Sequence, residues 1–212
     1  MIMKLNNIFT LILGLALLPS CIEHEVIPPP TPVVELECSF GGVFNGEEYS
    51  FSQFAGIECE PAQEKLITPA PQASRVTYFS TIRGANVLDL IQLNIGELLF
   101  QPTANSSNPT LNEFEAFFKS DTEPDFKADS KDGVEIVYRD ESGRVWYSSP
   151  VDSLNEQFFK FTSLELDSDE NGDFMLFTAN FSCNLYLYDE ETEEPIDTIA
   201  VENAVYRNHF KR

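Results

Sequence analysis

Apolar and polar side chains alternate along residues 174–188. Met175, Phe177, Ala179, Phe181, Cys183, Leu185 and Leu187 fall in one set, Thr178, Asn180, Ser182 and Asn184 in the other. A period of two puts each set on one face of a strand, so the stretch predicts a long, half-buried antiparallel strand. Residues 158–166 and 196–206 predict partners on either side, across the turns 167–173 and 189–195. Residues 134–139 and 144–148 flank Asp140-Glu141-Ser142-Gly143, a four-residue hairpin loop with glycine at its end. In the first half, Leu36, Cys38 and Phe40 share a strand face. Phe44-Asn45-Gly46-Glu47 then carries a type I′ hairpin signal, with a return strand over 48–54. Pro61, Pro69 and Pro71 make 58–72 read as a loop, and strands follow over 75–82, 86–95 and, briefly, 98–100. Thr110-Leu111-Asn112-Glu113 has the form of a capping box, and Leu111, Phe114, Phe117 and Phe118 lie on one helical stripe. The expected fold is mainly β: a single antiparallel β-sandwich or partly closed barrel, with one short helix at about 111–119.

The first 34 residues follow a different pattern. Lys4 precedes an apolar run over 8–18, and Leu18-Pro19-Ser20-Cys21 places a small residue directly before a cysteine. The run is well short of the ~20 residues a spanning helix needs. It resembles a bacterial lipoprotein signal ending in a lipobox. That resemblance implies a signal peptide over 1–20, cleavage before Cys21, and lipid (diacylglycerol and palmitate) on its sulfur. Four prolines stand at 28, 29, 30 and 32 and favour extended polyproline II. Residues 21–34 are therefore expected to be a lipidated, semi-rigid tether, and 35–212 a single β-rich domain. Glu23 and Glu25, close behind Cys21, resemble the surface-export signals of Bacteroidetes-type lipoproteins.

Charge narrows the partners. The chain carries 35 acidic and 13 basic residues for a net charge of −22, and removing the signal takes away one cation more. Such a surface repels nucleic acid and anionic lipid headgroups alike. Membrane attachment must then come through the N-terminal lipid. With 18 Phe and 7 Tyr the chain has enough apolar mass to build a core despite its charge.

Of the four cysteines, Cys21 is reserved for lipid, and export makes one disulfide expected among Cys38, Cys59 and Cys183. Cys38 and Cys183 fall on apolar strand faces, while Cys59 opens the proline-containing stretch. A loop cysteine bends toward a strand sulfur more easily than two fixed strands meet. Cys59–Cys183 is therefore the expected pair, with Cys38 buried and reduced.

Candidate chemistry is sparse. Asp167, Asp169, Asn171 and Asp173 alternate oxygen ligands as a calcium loop does, with Gly172 at the bend. Thr178 stands where an EF-hand's closing glutamate belongs, however, and the flanks predict strands, so an acidic hairpin is the simpler reading. No cofactor is expected, with calcium the sole candidate. Trp146-Tyr147 on a hairpin offers an aromatic platform for sugars or, more simply, core. His24 and His209 lack the context of a catalytic base. Asp152-Ser153-Leu154 and Asp197-Thr198-Ile199 match the Asp-Ser/Thr-aliphatic sequon of Bacteroidetes-type O-glycosylation, making Ser153 and Thr198 candidate attachment sites.

The stretch Val134-Glu135-Ile136 through Asp140, Gly143 and Trp146, then Phe181-Ser182-Cys183, resembles the small outer-membrane lipoproteins of Bacteroidetes-type bacteria. Most such families have no assigned activity, so the resemblance implies an outer-membrane address, on the periplasmic or cell-surface side, and carries over no site except Cys21. The expected function is a non-enzymatic binding or structural module whose partner is another envelope protein or a glycan. The alternative is an exported carboxylate-dependent hydrolase of glycosidase type.

Overall fold

The alternation around Phe181 is realised as a strand of 17 residues, and the sheet is assembled on it. The computed structural model describes residues 33–52, 56–84, 88–103, 106–127, 132–149 and 157–212. Its strands are β1 (Ser39–Phe44), β2 (Glu47–Ser52), β3 (Glu58–Leu66), β4 (Ser74–Arg83) and β5 (Leu90–Phe100), then β6 (Val134–Arg139), β7 (Val145–Ser148), β8 (Phe158–Asp169), β9 (Gly172–Tyr188) and β10 (Pro195–Lys211). One helix, α1 (Leu111–Ser120), lies between β5 and β6 among the described residues. The fold is mainly β, as expected. Its strands form a single antiparallel sheet in the order β2-β1-β10-β9-β7-β6-β5-β4-β3, open at both ends, with β8 as an extra partner of β9. Along the edge of β9 away from β10, β8 pairs from Gly172 to Ser182 and β7 takes Leu185 and Tyr186. The sheet therefore forks near Cys183.

Strand phase decides the core. Phe177, Ala179, Phe181, Cys183 and Leu185 of β9 are all buried. On β10 a bulge sets Glu202 and Asn203 against Ser182, whose hydroxyl accepts the Asn203 N–H at 3.1 Å. The extra residue resets the alternation, so Val201 and Ala204 both face inward. The turn Asn45-Gly46 has φ of 50° and 85°, the pair of positive values a type I′ hairpin demands. The helix starts where its capping box does. Thr110 accepts the Glu113 N–H through its hydroxyl at 3.2 Å, and the Glu113 carboxylate accepts the Thr110 N–H at 2.7 Å. Its inward residues Phe114 and Phe118 close one end of the core against Tyr78 of β4 and Phe210 of β10.

Three expectations need correction. Residues 58–66 are strand rather than loop. Because β3 ends the sheet, Pro61 is tolerated on a strand with an open side. Residues 98–100 belong to β5, which passes through Gly96 by an irregularity in its register with β4. The disulfide joins Cys38 to Cys59, with Cα atoms 6.0 Å apart, and Cys183 takes no part in it. The reason follows from the first correction. As strand, Cys59 is carried over the segment that enters β1, beside Cys38, while Cys183 is buried in β9 against Val201.

β10 and β4 are not ladder neighbours, yet side chains stitch them together. Tyr206 donates its hydroxyl to the Ser80 carbonyl at 2.7 Å, Asn208 donates to the Thr81 carbonyl at 3.2 Å, and Ser80 donates to the His209 carbonyl at 2.9 Å. Each bond gives a buried polar group its partner without closing a barrel. His209, which the sequence leaves near a basic end, is 2% exposed, its ring 5.7 Å from that of Phe174. Burial, aided by the charge of Lys211, holds its imidazole down to about 4. As pH falls below about 6.5 the unfolded chain takes up this proton and the native one does not, so stability is lost between pH 6.5 and 4. Replacement by glutamine, His209→Gln, should remove a loss of order 3 kcal/mol across that window. Asp89, whose carboxyl burial raises, titrates with the opposite sign, so the comparison must be between variant and parent. Urea unfolding at pH 7 and pH 4.5 measures it, and equal losses in the two proteins would refute it.

Candidate functional site

Two turns are built by the same local device. In Asp140-Glu141-Ser142-Gly143, Oδ1 of Asp140 accepts the N–H groups of Ser142 and Arg144, and Oδ2 accepts Nε of Arg144 at 2.7 Å. Gly143 supplies the φ of +85° that the turn needs. Burial works to raise the Asp140 carboxyl, but the guanidinium and amides around it together hold it below the usual range. In the β9–β10 turn, Oδ1 of Asp189 accepts the N–H groups of Glu191 and Thr192 and the Thr192 hydroxyl. The Thr192 amide foremost, then that of Glu191, hold this carboxyl below its ordinary value. Both aspartates are therefore ionised turn formers.

Because β7 pairs with β9, these two turns stand side by side. Alternation on β7 sends Trp146 inward, 1% exposed, and leaves Tyr147 outward at 39%. Tyr186 is the register partner of Tyr147, and Tyr188, 37% exposed, follows it on the same face. The Tyr186 and Tyr188 rings are 6.3 Å apart and tilted by 45°. Arg144 lies 5.3 Å over the indole of Trp146. A cleft of about 800 Å³ opens between the turns, lined by Ser142, Arg144, Tyr147, Tyr188, Glu190 and Glu193 among others. That volume falls within the span of about 300–1,000 Å³ usual for small-ligand clefts. Chemically it is an aromatic floor with a carboxylate rim and one guanidinium.

The aromatic pair Trp146-Tyr147 thus divides. Trp146 is core, Tyr147 is surface, and the second ring lining the cleft is that of Tyr188. A signal for Tyr188 was present in the sequence: the set of β9 that alternates with the apolar one changes from Asn184 to tyrosine at its last two positions.

The acidic hairpin does not gather its oxygens. β8 and β9 meet at the turn Glu170-Asn171, with Ser168 opposite Asp173 and Asp167 opposite Phe174. Strand alternation therefore sends Asp173 to the face opposite that of Asp167 and Asp169. Asp169 accepts the Val34 N–H at 3.0 Å and the Asn171 N–H at 2.7 Å, while Asp173 is paired with Arg212. Among the described residues, no three His, Cys, Asp or Glu side chains group as metal ligands. Thr198 is exposed on β10 opposite Tyr186. Cys21 and Ser153 lie outside the described residues.

A carboxyl of different character is Asp89, 8% exposed before β5. Burial raises it above its ordinary value, and the nearby charges of Glu141 and Asp140 act in the same direction. Tyr49 donates to it at 2.7 Å, and the Tyr138 hydroxyl lies 3.3 Å from that of Tyr49. Phe44 stacks on Tyr49 at 4.6 Å. A Cβ on Gly84 would lie 2.8 Å from the Phe51 ring and 3.2 Å from the Asp89 carboxylate, so a larger residue at 84 would push on both. The cluster clamps the β1–β2 hairpin to β4, β5 and β6.

No protein family, curated protein or solved structure matches the chain.

Proposed function

We propose that this chain is an exported lipoprotein, held in the outer membrane by lipid on Cys21, whose β-domain is a non-enzymatic binding or structural module. The observation that carries the reading is the order along the chain. One cation, an apolar run over 8–18, a small residue and Cys21 come first, then the prolines at 28–32, and a compact unit from Pro32 to Arg212 follows. The sulfur of Cys21 is the sole position in that order where thioether lipidation fits the motif. More than one acyl chain is needed for stable anchoring, which a diacylglycerol supplies. Binding rather than catalysis is supported by the exposed tyrosine cleft and by turn aspartates committed to backbone amides. Thr198, exposed on β10, supports the O-glycosylation sequon there.

Cys21→Ser is expected to abolish incorporation of labelled palmitate and to shift the protein from the membrane fraction to the soluble one. Labelling that persists in Cys21→Ser would end this reading.

A further inference from the structure

We infer that the cleft between the β6–β7 and β9–β10 turns binds a neutral glycan chain, with Tyr147 and Tyr188 as the rings on which sugar faces rest. This deepens the binding-module reading by naming its ligand class, and it depends on the lipid at Cys21 for orientation alone.

The geometry supplies both halves of what a pyranose presents. One face of such a ring is a patch of C–H groups that covers an aromatic ring, and its rim is a belt of hydroxyls that donate and accept. Tyr147 of β7 and Tyr188 of β9 line the cleft, and they stand diagonally across the two strands, because the register partner of Tyr147 is Tyr186. Diagonal neighbours on adjacent antiparallel strands stand roughly 7–8 Å apart. Consecutive sugars along a chain can therefore meet consecutive rings. Around them, the carboxylates of Glu190 and Glu193 accept hydrogen bonds from hydroxyls, and Arg144 and Ser142 donate to them.

The same lining disfavours other occupants. The charge of Arg144 is already matched by Asp140, which leaves the rim negative and repels phosphate, nucleic acid and acidic polysaccharide. A wholly apolar partner would strip water from the carboxylates without bonding them, at a cost that a small aromatic floor does not offset. A neutral polyol replaces that water with its own hydroxyls.

The position is also suited to capture. The Val34 N–H is held by Asp169, beside the first residue of β9, and the cleft lies at Tyr188, the last. Roughly 50 Å of strand separates them. The first described residues of the chain therefore lie at the end of β9 away from the cleft.

The test uses the full-length lipoprotein in a detergent without a sugar headgroup. It is titrated calorimetrically with four neutral hexasaccharides (α-1,4-glucan, β-1,4-glucan, β-1,4-xylan and β-1,4-mannan) and with spermine. At least one hexasaccharide should bind with a Kd below about 1 mM, nearly unchanged by salt. Tyr147→Ala and Tyr188→Ala should each weaken it about fivefold or more, and Tyr147→Phe, which keeps the ring, should not. Unchanged thermal midpoints in these exposed variants separate loss of contact from loss of fold. Three results would overturn the inference: no hexasaccharide binding at that level, binding indifferent to both alanine variants, or binding of spermine alone with loss in salt. None of them bears on the palmitate label, so failure here and failure of the anchor are told apart.

Discussion

Phe118→Ala is expected to lower the stability of the domain by about 3–5 kcal/mol, the range for removing a fully buried phenylalanine. For a domain of this size that corresponds to a thermal midpoint lower by roughly 10 °C. Phe118 is fully buried, stacks on Phe210 at 4.7 Å, and touches the rings of Tyr78, Phe114 and Phe117. It is the point where the helix meets β4 and β10, so its loss leaves a cavity that neither layer fills. The exposed helix position Ala116 serves as control, since Ala116→Ser touches no core. Calorimetric melts of the two variants check this. A Phe118→Ala midpoint within about 2 °C of the parent would mean that the helix contributes little to the core.

Loss of the Cys38–Cys59 link should be nearly as damaging. The two residues are 21 apart in sequence, and closing a loop of that size contributes roughly 3 kcal/mol by constraining the unfolded chain. The double variant Cys38→Ser, Cys59→Ser should therefore melt roughly 6–12 °C lower than the parent. Cys183→Ala should leave the bridge intact and shift the midpoint far less. Peptide mapping under non-reducing conditions supplies the independent check: a Cys38–Cys59 peptide is expected, and a peptide linking either residue to Cys183 would refute the pairing.

Features encoded by neighbours in sequence were the legible ones. The alternation of β9, the Asn45-Gly46 hairpin and the Thr110/Glu113 capping box each involve residues a few positions apart, so local physics decides them. What escaped depends on which strands end up adjacent. Pro61 reads as a loop residue until β3 is known to be the sheet's edge, and the pairing of Cys59 with Cys38 follows from that strand's position. His209 sits two residues from Lys211 in sequence, and its burial follows from register with Leu176 and from the packing of β10 against β4. The tyrosine cleft was half legible. Tyr147 was visible as one of an aromatic pair, but its neighbours on β9 come beside it only through the pairing of β7 with β9.

The disulfide also sets how the domain bears mechanical load. A pull delivered through the N-terminal segment reaches Cys38 before it reaches β1. At that residue part of the force passes covalently to β3, which is held to β4 in unbroken register from Glu58 and Arg83 to Leu66 and Arg75. The β1–β2 hairpin lies wholly inside the closed loop and is spared that share of the tension. Without the bridge, the same pull would peel β1 from β10 and β2 one residue at a time. With it, the load is shared between β1, second from one end of the sheet, and β3, at the other.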